Sequence, residues 1–231
     1  AVMPIATLAA QCMQNATEGT DIPVVYAAVS DPETAGLTAE NVTGTSDALN
    51  TDFILDMMFA QNPDIQTVGL LYSLSEDNSK QPIEDAKAYL DAKGVKYVEG
   101  TGNTTDEIVA ATNNMLDQVD AIFTPTDNRV MDAELTIAES LIQAGVPHYT
   151  GADSFVRNGA FATCGVNYTE LGAYTADMVV DAMASGNLSA FHVMDGGIIT
   201  VNTETAEGLG ADYSAFKTMA GEVVEVTTTE D

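Results

Sequence analysis

The chain has 231 residues, 45% hydrophobic and 18% charged, with seven Lys+Arg against 35 Asp+Glu and a formal net charge of −28. So few basic residues argue against a nucleic-acid partner, and anionic lipid surfaces repel so acidic a chain. No apolar run approaches the roughly 20 residues that cross a bilayer, and the length suits one large or two small domains.

In chain order, residues 1–6 read as the end of a buried strand, and Thr7 opens a helix carrying Leu8, Ala9, Cys12, Met13 and Ala16. Residues 22–29 form a second buried strand ending in Ser30-Asp31-Pro32, a turn because the residue before Pro is driven to extended geometry. Residues 41–46 are extended but short of apolar side chains, as a strand crossing between lobes would be. A helix over residues 51–61 places Phe53, Ile54, Met57 and Met58 at helical spacing.

A regular alternation follows. Strands are expected at residues 67–72, 95–99, 119–123 and 146–150, and helices at 81–93, 105–116 and 129–144. Gly94 and Gly145 stop two of those helices. Short strands alternating with helices of this length mean βαβ units and a parallel sheet, hence an α/β fold. Beyond Gly151-Ala152-Asp153 come a helical turn at 154–159, a strand at 160–166, a helix at 170–184 and an extended region at 191–201 broken by Gly196 and Gly197. Residues 227–231 read as a frayed tail. The first half-sheet reads as incomplete, as though a βαβα unit of roughly 50 residues stood ahead of it.

No nucleophile elbow, phosphate loop or dinucleotide fingerprint is present, so no enzyme chemistry is indicated. Asp127 and Asp153 as a hydrolytic carboxylate pair are a remote alternative. Cys12 and Cys164 make no disulfide framework, no Cys/His spacing suggests a metal, and no cofactor is called for. His148 and His192 fit packing or surface roles. What recurs is a strand followed by small hydroxyl, amide and acid groups: Thr7, Ser30 with Asp31, Ser75 to Ser79, Thr126-Asp127-Asn128 and Asp153. Hydroxyls and helix-start N–H groups suit a carboxylate and aspartates suit an ammonium, so such turns together have the polarity of a free amino acid.

Tyr26-Ala27-Ala28-Val29-Ser30-Asp31-Pro32, with Ala35-Gly36-Leu37, Asn41-Val42-Thr43-Gly44 and Ser46-Asp47, resembles the ABC-transporter substrate-binding proteins that include tryptophan and tyrosine binders. Leu71-Tyr72, Ser75-Glu76-Asp77-Asn78-Ser79, Pro125-Thr126-Asp127-Asn128 and the stretch from Gly165 to Gly172 extend the likeness over roughly residues 1 to 200. The resemblance implies a two-lobed type I periplasmic-binding-protein fold with parallel sheets flanked by helices. Its lobes would be 1–43 plus 152–187 and 44–151 plus 188–231, with crossings near Thr43, Asp153 and Asn187. It also implies an extracytoplasmic component of an importer, lipid-anchored in its full-length form. Its partners would be a membrane permease and an amino acid such as Trp, Tyr or Phe, held as the lobes close.

On that reading Asp127 takes the α-ammonium, with Asp153 as second candidate. Thr7, Ser30, Asn78 and Ser79 take the carboxylate, and Tyr72 and Tyr168 stack on the ring. Asp31, Ser75, Thr126 and Asn128 complete the same turns. Asp127→Ala is then expected to abolish binding and spare the fold. The alternatives are the ligand-sensing domain of a receptor and a sugar- or nucleoside-binding relative; a chain without Trp is a poor sugar binder.

Overall fold

The computed structural model describes residues 1–220 and 222–229. In chain order the elements begin with α1 (Thr7–Ala16), β1 (Val24–Tyr26), β2 (Val42–Ser46), α2 (Thr51–Gln61), β3 (Thr67–Tyr72) and α3 (Lys80–Lys93). Next are β4 (Lys96–Thr101), α4 (Thr105–Met115), β5 (Ala121–Thr124), α5 (Asn128–Met131), α6 (Glu134–Ala144) and β6 (His148–Thr150). They end with α7 (Asp153–Arg157), β7 (Ala162–Gly165), α8 (Tyr168–Ser185), β8 (His192–Val193), β9 (Ile198–Asn202), α9 (Thr203–Leu209) and β10 (Glu222–Val226).

The chain divides into two compact units. Unit 1 is Ala1–Ala48, Glu76–Asn78 and Val166–Gly196; unit 2 is Leu49–Ser75, Ser79–Gly165 and Gly197–Asp231. The crossings expected near Thr43, Asp153 and Asn187 all lie earlier in the chain than these boundaries. Strand pairing is the reason. β7 hydrogen-bonds with β6 and β9 of unit 2, which carries that unit's boundary past Asp153, and β8 pairs with β2 of unit 1.

Unit 1 is built on a parallel sheet in the order β1-β2-β8, and the chain start adds parallel bridges from Val2 to Val24 and from Ile5 to Ala27. Residues 41–46, read from sequence as a crossing stretch, instead supply β2, which lies between β1 and β8. Its polarity is met inside the unit: Thr43 Oγ1 donates to the Ser189 carbonyl at 2.8 Å, and the Thr45 and Thr175 hydroxyls bond at 2.7 Å. Gly44 is required by a close approach. A Cβ there would sit 2.0 Å from the Tyr26 carbonyl oxygen and 2.4 Å from its ring.

Unit 2 holds a seven-stranded sheet in the order β10-β9-β7-β6-β5-β3-β4, parallel throughout except where β7 meets β9. Its core packs Ile54, Leu55, Met57 and Met58 of α2 against Val68, Leu70, Phe123, Tyr149 and Phe161 of the sheet. Each such fully buried side chain contributes roughly 1.5–3 kcal/mol of transfer free energy.

Local signals set the helix ends. Asn50, Thr104, Asn167 and Asn202 accept main-chain N–H bonds at the starts of α2, α4, α8 and α9. Gly94 and Gly145 end α3 and α6 in the left-handed conformation. The single helix expected over residues 129–144 is two, because the Ala133 N–H tightens onto the Val130 carbonyl at 2.9 Å and α6 starts afresh. Residues 227–229, expected to fray, are bonded: Asn202 Nδ2 donates to Thr228 Oγ1 at 2.9 Å and the Thr229 N–H to the Arg157 carbonyl at 2.9 Å. Glu230 and Asp231, the rest of that expected tail, lie outside the described residues.

Because the Tyr26 carbonyl is main chain and cannot swing aside, Gly44→Ala should cost about 3 kcal/mol or more of stability, read as a lower urea midpoint.

Candidate functional site

In open parallel sheets ligands gather beyond the carboxyl ends of the strands, where the polar turns of this chain lie. In unit 2 those ends are tied by Asp127. Its Oδ2 accepts the Ser73 N–H at 2.7 Å and the Ser79 hydroxyl at 2.6 Å, and its Oδ1 accepts the Arg129 and Val130 N–H groups at 3.0 and 3.1 Å. Asp127 thus caps α5 and fastens the turn after β3 to the end of β5. Those four bonds fill the roughly four acceptor positions of a carboxylate, and the residue is fully buried. Around it, Ser73 Oγ meets Ser75 Oγ at 2.7 Å and donates to Asn103 Oδ1 at 3.0 Å. A Cβ on Gly151 would stand 2.6 Å from the Thr126 nitrogen, so the β5 and β6 ends touch at their backbones.

Unit 1 presents a different chemistry at its strand ends. Ala6, at the start of α1, has φ 68° and ψ 165°, a region occupied almost solely by glycine, and Ala28 after β1 has φ 56°. Each such conformation costs on the order of 1–3 kcal/mol and clusters at functional sites. Ala6 is held there by its N–H bond to the Ala27 carbonyl at 2.9 Å. No side chain caps α1, so the N–H groups of its first turn, beginning at buried Thr7, carry the positive end of the helix dipole with no acidic residue in that turn.

Two strands along the same sheet stands Asp47, 6% exposed, directly after β2. Its Oδ1 accepts the Ser30 hydroxyl at 3.0 Å and its Oδ2 the Tyr168 hydroxyl at 2.8 Å. Burial pushes its carboxyl above the usual carboxylate range, against the pull of Tyr168, Ser30 and its own amide. Every Lys and Arg of the chain (Lys80, Lys87, Lys93, Lys96, Arg129, Arg157 and Lys217) belongs to unit 2, so unit 1 has none to neutralise it.

The structure therefore sorts the residues singled out by sequence. Thr7, Ser30 and Tyr168 share the strand-end region of unit 1, where Tyr168 acts through its hydroxyl. Asp31 caps its own turn, accepting the Thr34 N–H at 2.9 Å. Asn78 is buried and donates to Glu76 Oε2 at 3.1 Å. Ser75, Ser79, Thr126, Asp127 and Asn128 gather at the strand ends of unit 2, with Ser75 and Asn128 exposed. Tyr72 and Asp153 are engaged elsewhere. The Tyr72 ring belongs to the unit 2 core and its hydroxyl donates to Glu99 at 2.6 Å, while Asp153 pairs with Arg157 Nε at 3.0 Å.

His148 is buried between Thr124 and Glu134, at 2.8 and 3.0 Å, and His192 stacks on Tyr174. Sequence reasoning passed over Asp47, Ser73 and Ala6. For Asp47 the signal was present, an acidic residue closing a hydroxyl-rich strand in a stretch devoid of Lys and Arg.

A family model described as ABC transporter substrate binding protein matches residues 1–223. The tyrosine-binding protein of Clostridioides difficile (strain R20291) is 28% identical over 216 residues, which cover 90% of this chain. The chain spans 62% of that relative's length. A crystal structure of an ABC domain in complex with L-Trp from Streptococcus pneumonia is 32% identical with a TM-score of 0.88, over 96% of this chain and 78% of that one. The ligand-free, open structure of a substrate binding protein with adhesive properties from Clostridium difficile is 29% identical with a TM-score of 0.72, over 98% and 78%.

Two outcomes follow from the strand-end carboxylates. Asp127→Ala leaves four buried or partly buried donors without their acceptor and should lower stability by about 3 kcal/mol or more, measured by urea unfolding. For Asp47 the folded pKa lies above the unfolded one, so its stabilising contribution is complete below the unfolded value and is lost as pH rises through the folded value. Asp47→Asn removes that loss, so the variant should gain stability relative to the native chain as pH rises above the usual carboxylate range. Urea midpoints of both proteins across that rise check it.

Proposed function

The chain belongs to the ABC transporter substrate binding protein family, with its α/β periplasmic-binding-protein fold, and from that premise we propose that it captures an aromatic amino acid for import. It works outside the cytoplasm, hands its ligand to a membrane permease, and binds without chemical conversion. Among the described residues no helix is long and apolar enough to cross a membrane.

The observation that carries this reading is the start of α1. An uncapped helix N-terminus, held open by Ala6 in a costly backbone conformation, offers main-chain N–H donors and a favourable dipole to a carboxylate. Thr7 and the Ser30 turn flank it. Two relatives, 28% and 32% identical over the aligned residues, are described by tyrosine binding and by an L-Trp complex, which supports an aromatic side chain on the ligand.

Thermal unfolding against the twenty amino acids, ribose, glucose and nucleosides tests the proposal. A ligand at 100 times its Kd stabilises the folded state by about 2.7 kcal/mol, a shift of several degrees for a chain of this size. The midpoint should rise with Trp, Tyr or Phe and stay put with the sugars and nucleosides. A rise with a sugar or nucleoside instead would overturn the assignment.

A further inference from the structure

We propose that Asp47 takes the ligand's ammonium group, with Ser30 and Tyr168 as the residues that position it; this rests on the amino-acid reading above. Three observations converge on it.

The first is a count of donors. A carboxylate offers about four acceptor positions. All four on Asp127 are occupied by Ser73, Ser79, Arg129 and Val130, and Asp153 already holds a guanidinium. On Asp47 the Ser30 and Tyr168 hydroxyls take two, leaving room for a further donor. The role expected of Asp127 therefore passes to Asp47.

The second is charge. Asp47 is desolvated, yet unit 1 contains no Lys or Arg, and among the described residues no ion pair is made to it. A buried carboxylate normally acquires a cationic partner or gives up its charge. Its donors here are neutral hydroxyls, which orient the group without neutralising it. An arriving ammonium supplies the missing charge.

The third is spacing. Ala6, the turn at Ser30 and Asp47 end three neighbouring parallel strands. Adjacent strands lie about 4.8 Å apart, so the first turn of α1 and Asp47 stand about 10 Å from one another along the sheet. That is close to the span of an α-carboxylate and an α-ammonium with one hydrogen bond added at each end. The dipole end of α1 and the Asp47 carboxylate have the right signs for the two ends of one zwitterion.

The experiment is a calorimetric titration of the whole chain with L-Trp and L-Tyr and with their des-amino analogues, 3-indolepropionate and 3-(4-hydroxyphenyl)propionate. The native chain should prefer the amino acids by about 30-fold. Asp47→Asn, which keeps the shape and accepts a hydrogen bond but carries no charge, should weaken the amino acids to about the affinity of the analogues and leave the analogues unchanged. Asp47→Glu keeps the charge and should retain part of the preference, which separates charge from fold if the amide variant is poorly folded. Equal weakening of both ligand classes by Asp47→Asn, or no weakening, overturns the proposal. So does a native chain that binds the analogues as tightly as the amino acids, a result that needs no variant. A native chain that binds no amino acid overturns the amino-acid reading and this assignment with it, whereas the other adverse results overturn the assignment alone.

Discussion

A carboxylate placed at the end of a parallel strand has a fixed number of hydrogen bonds to accept, and the share the fold itself supplies decides what is left for a ligand. Asp127 gives all of its capacity to the protein. In doing so it joins the turn after β3 to the start of α5, and the arrangement of the unit 2 strand ends depends on that knot. Asp47 gives about half of its capacity to two hydroxyls and keeps the remainder. The two residues look alike in sequence, each an acid just after a buried strand. Their roles separate only once the donors are counted.

The βαβ rhythm of unit 2 was readable because apolar runs, helical spacing and stop glycines agree with one another there, from Thr67 to Thr150. Unit 1 was harder. β2 carries Thr43, Gly44, Thr45 and Ser46; the Thr43 and Thr45 hydroxyls find partners on the chain before β8 and on α8, more than a hundred residues away, and Ser46 donates to the Ser30 carbonyl. No local pattern announces such a strand. The antiparallel step between β7 and β9 was also hidden, since strand direction comes from the route of the chain and leaves no mark on composition. The break between α5 and α6 rests on main-chain bonds alone.

For the site, the turns were legible and the hydrogen-bond partners within them were not. Hydroxyl and acid groups after strands pointed to strand ends, and Thr7, Ser30 and the 73–79 turn all lie there. Tyr72 shows the limit: its position at a strand terminus made it a candidate for stacking on a ligand ring, while its side chain packs in the core and its hydroxyl donates to Glu99. A strand alternates its faces at every residue, so one position decides between solvent and core. Ala6 shows the converse. Nothing in the side chain of an alanine marks the backbone conformation it adopts, and that conformation is what leaves α1 uncapped.

The confinement of all Lys and Arg to unit 2 has a consequence for how the molecule tolerates its surroundings. Repulsion among the acids of unit 1 meets no Lys or Arg inside that unit, so mobile counter-ions help to relieve it. The Debye length falls from about 30 Å at 0.01 M salt to about 3 Å at 1 M, and self-repulsion weakens with it. Salt thus acts unevenly along this polypeptide, firming the purely acidic sheet more than the one already laced with cations. The part of the chain that offers Asp47 to a ligand is also the part whose cohesion follows the ionic strength of its medium.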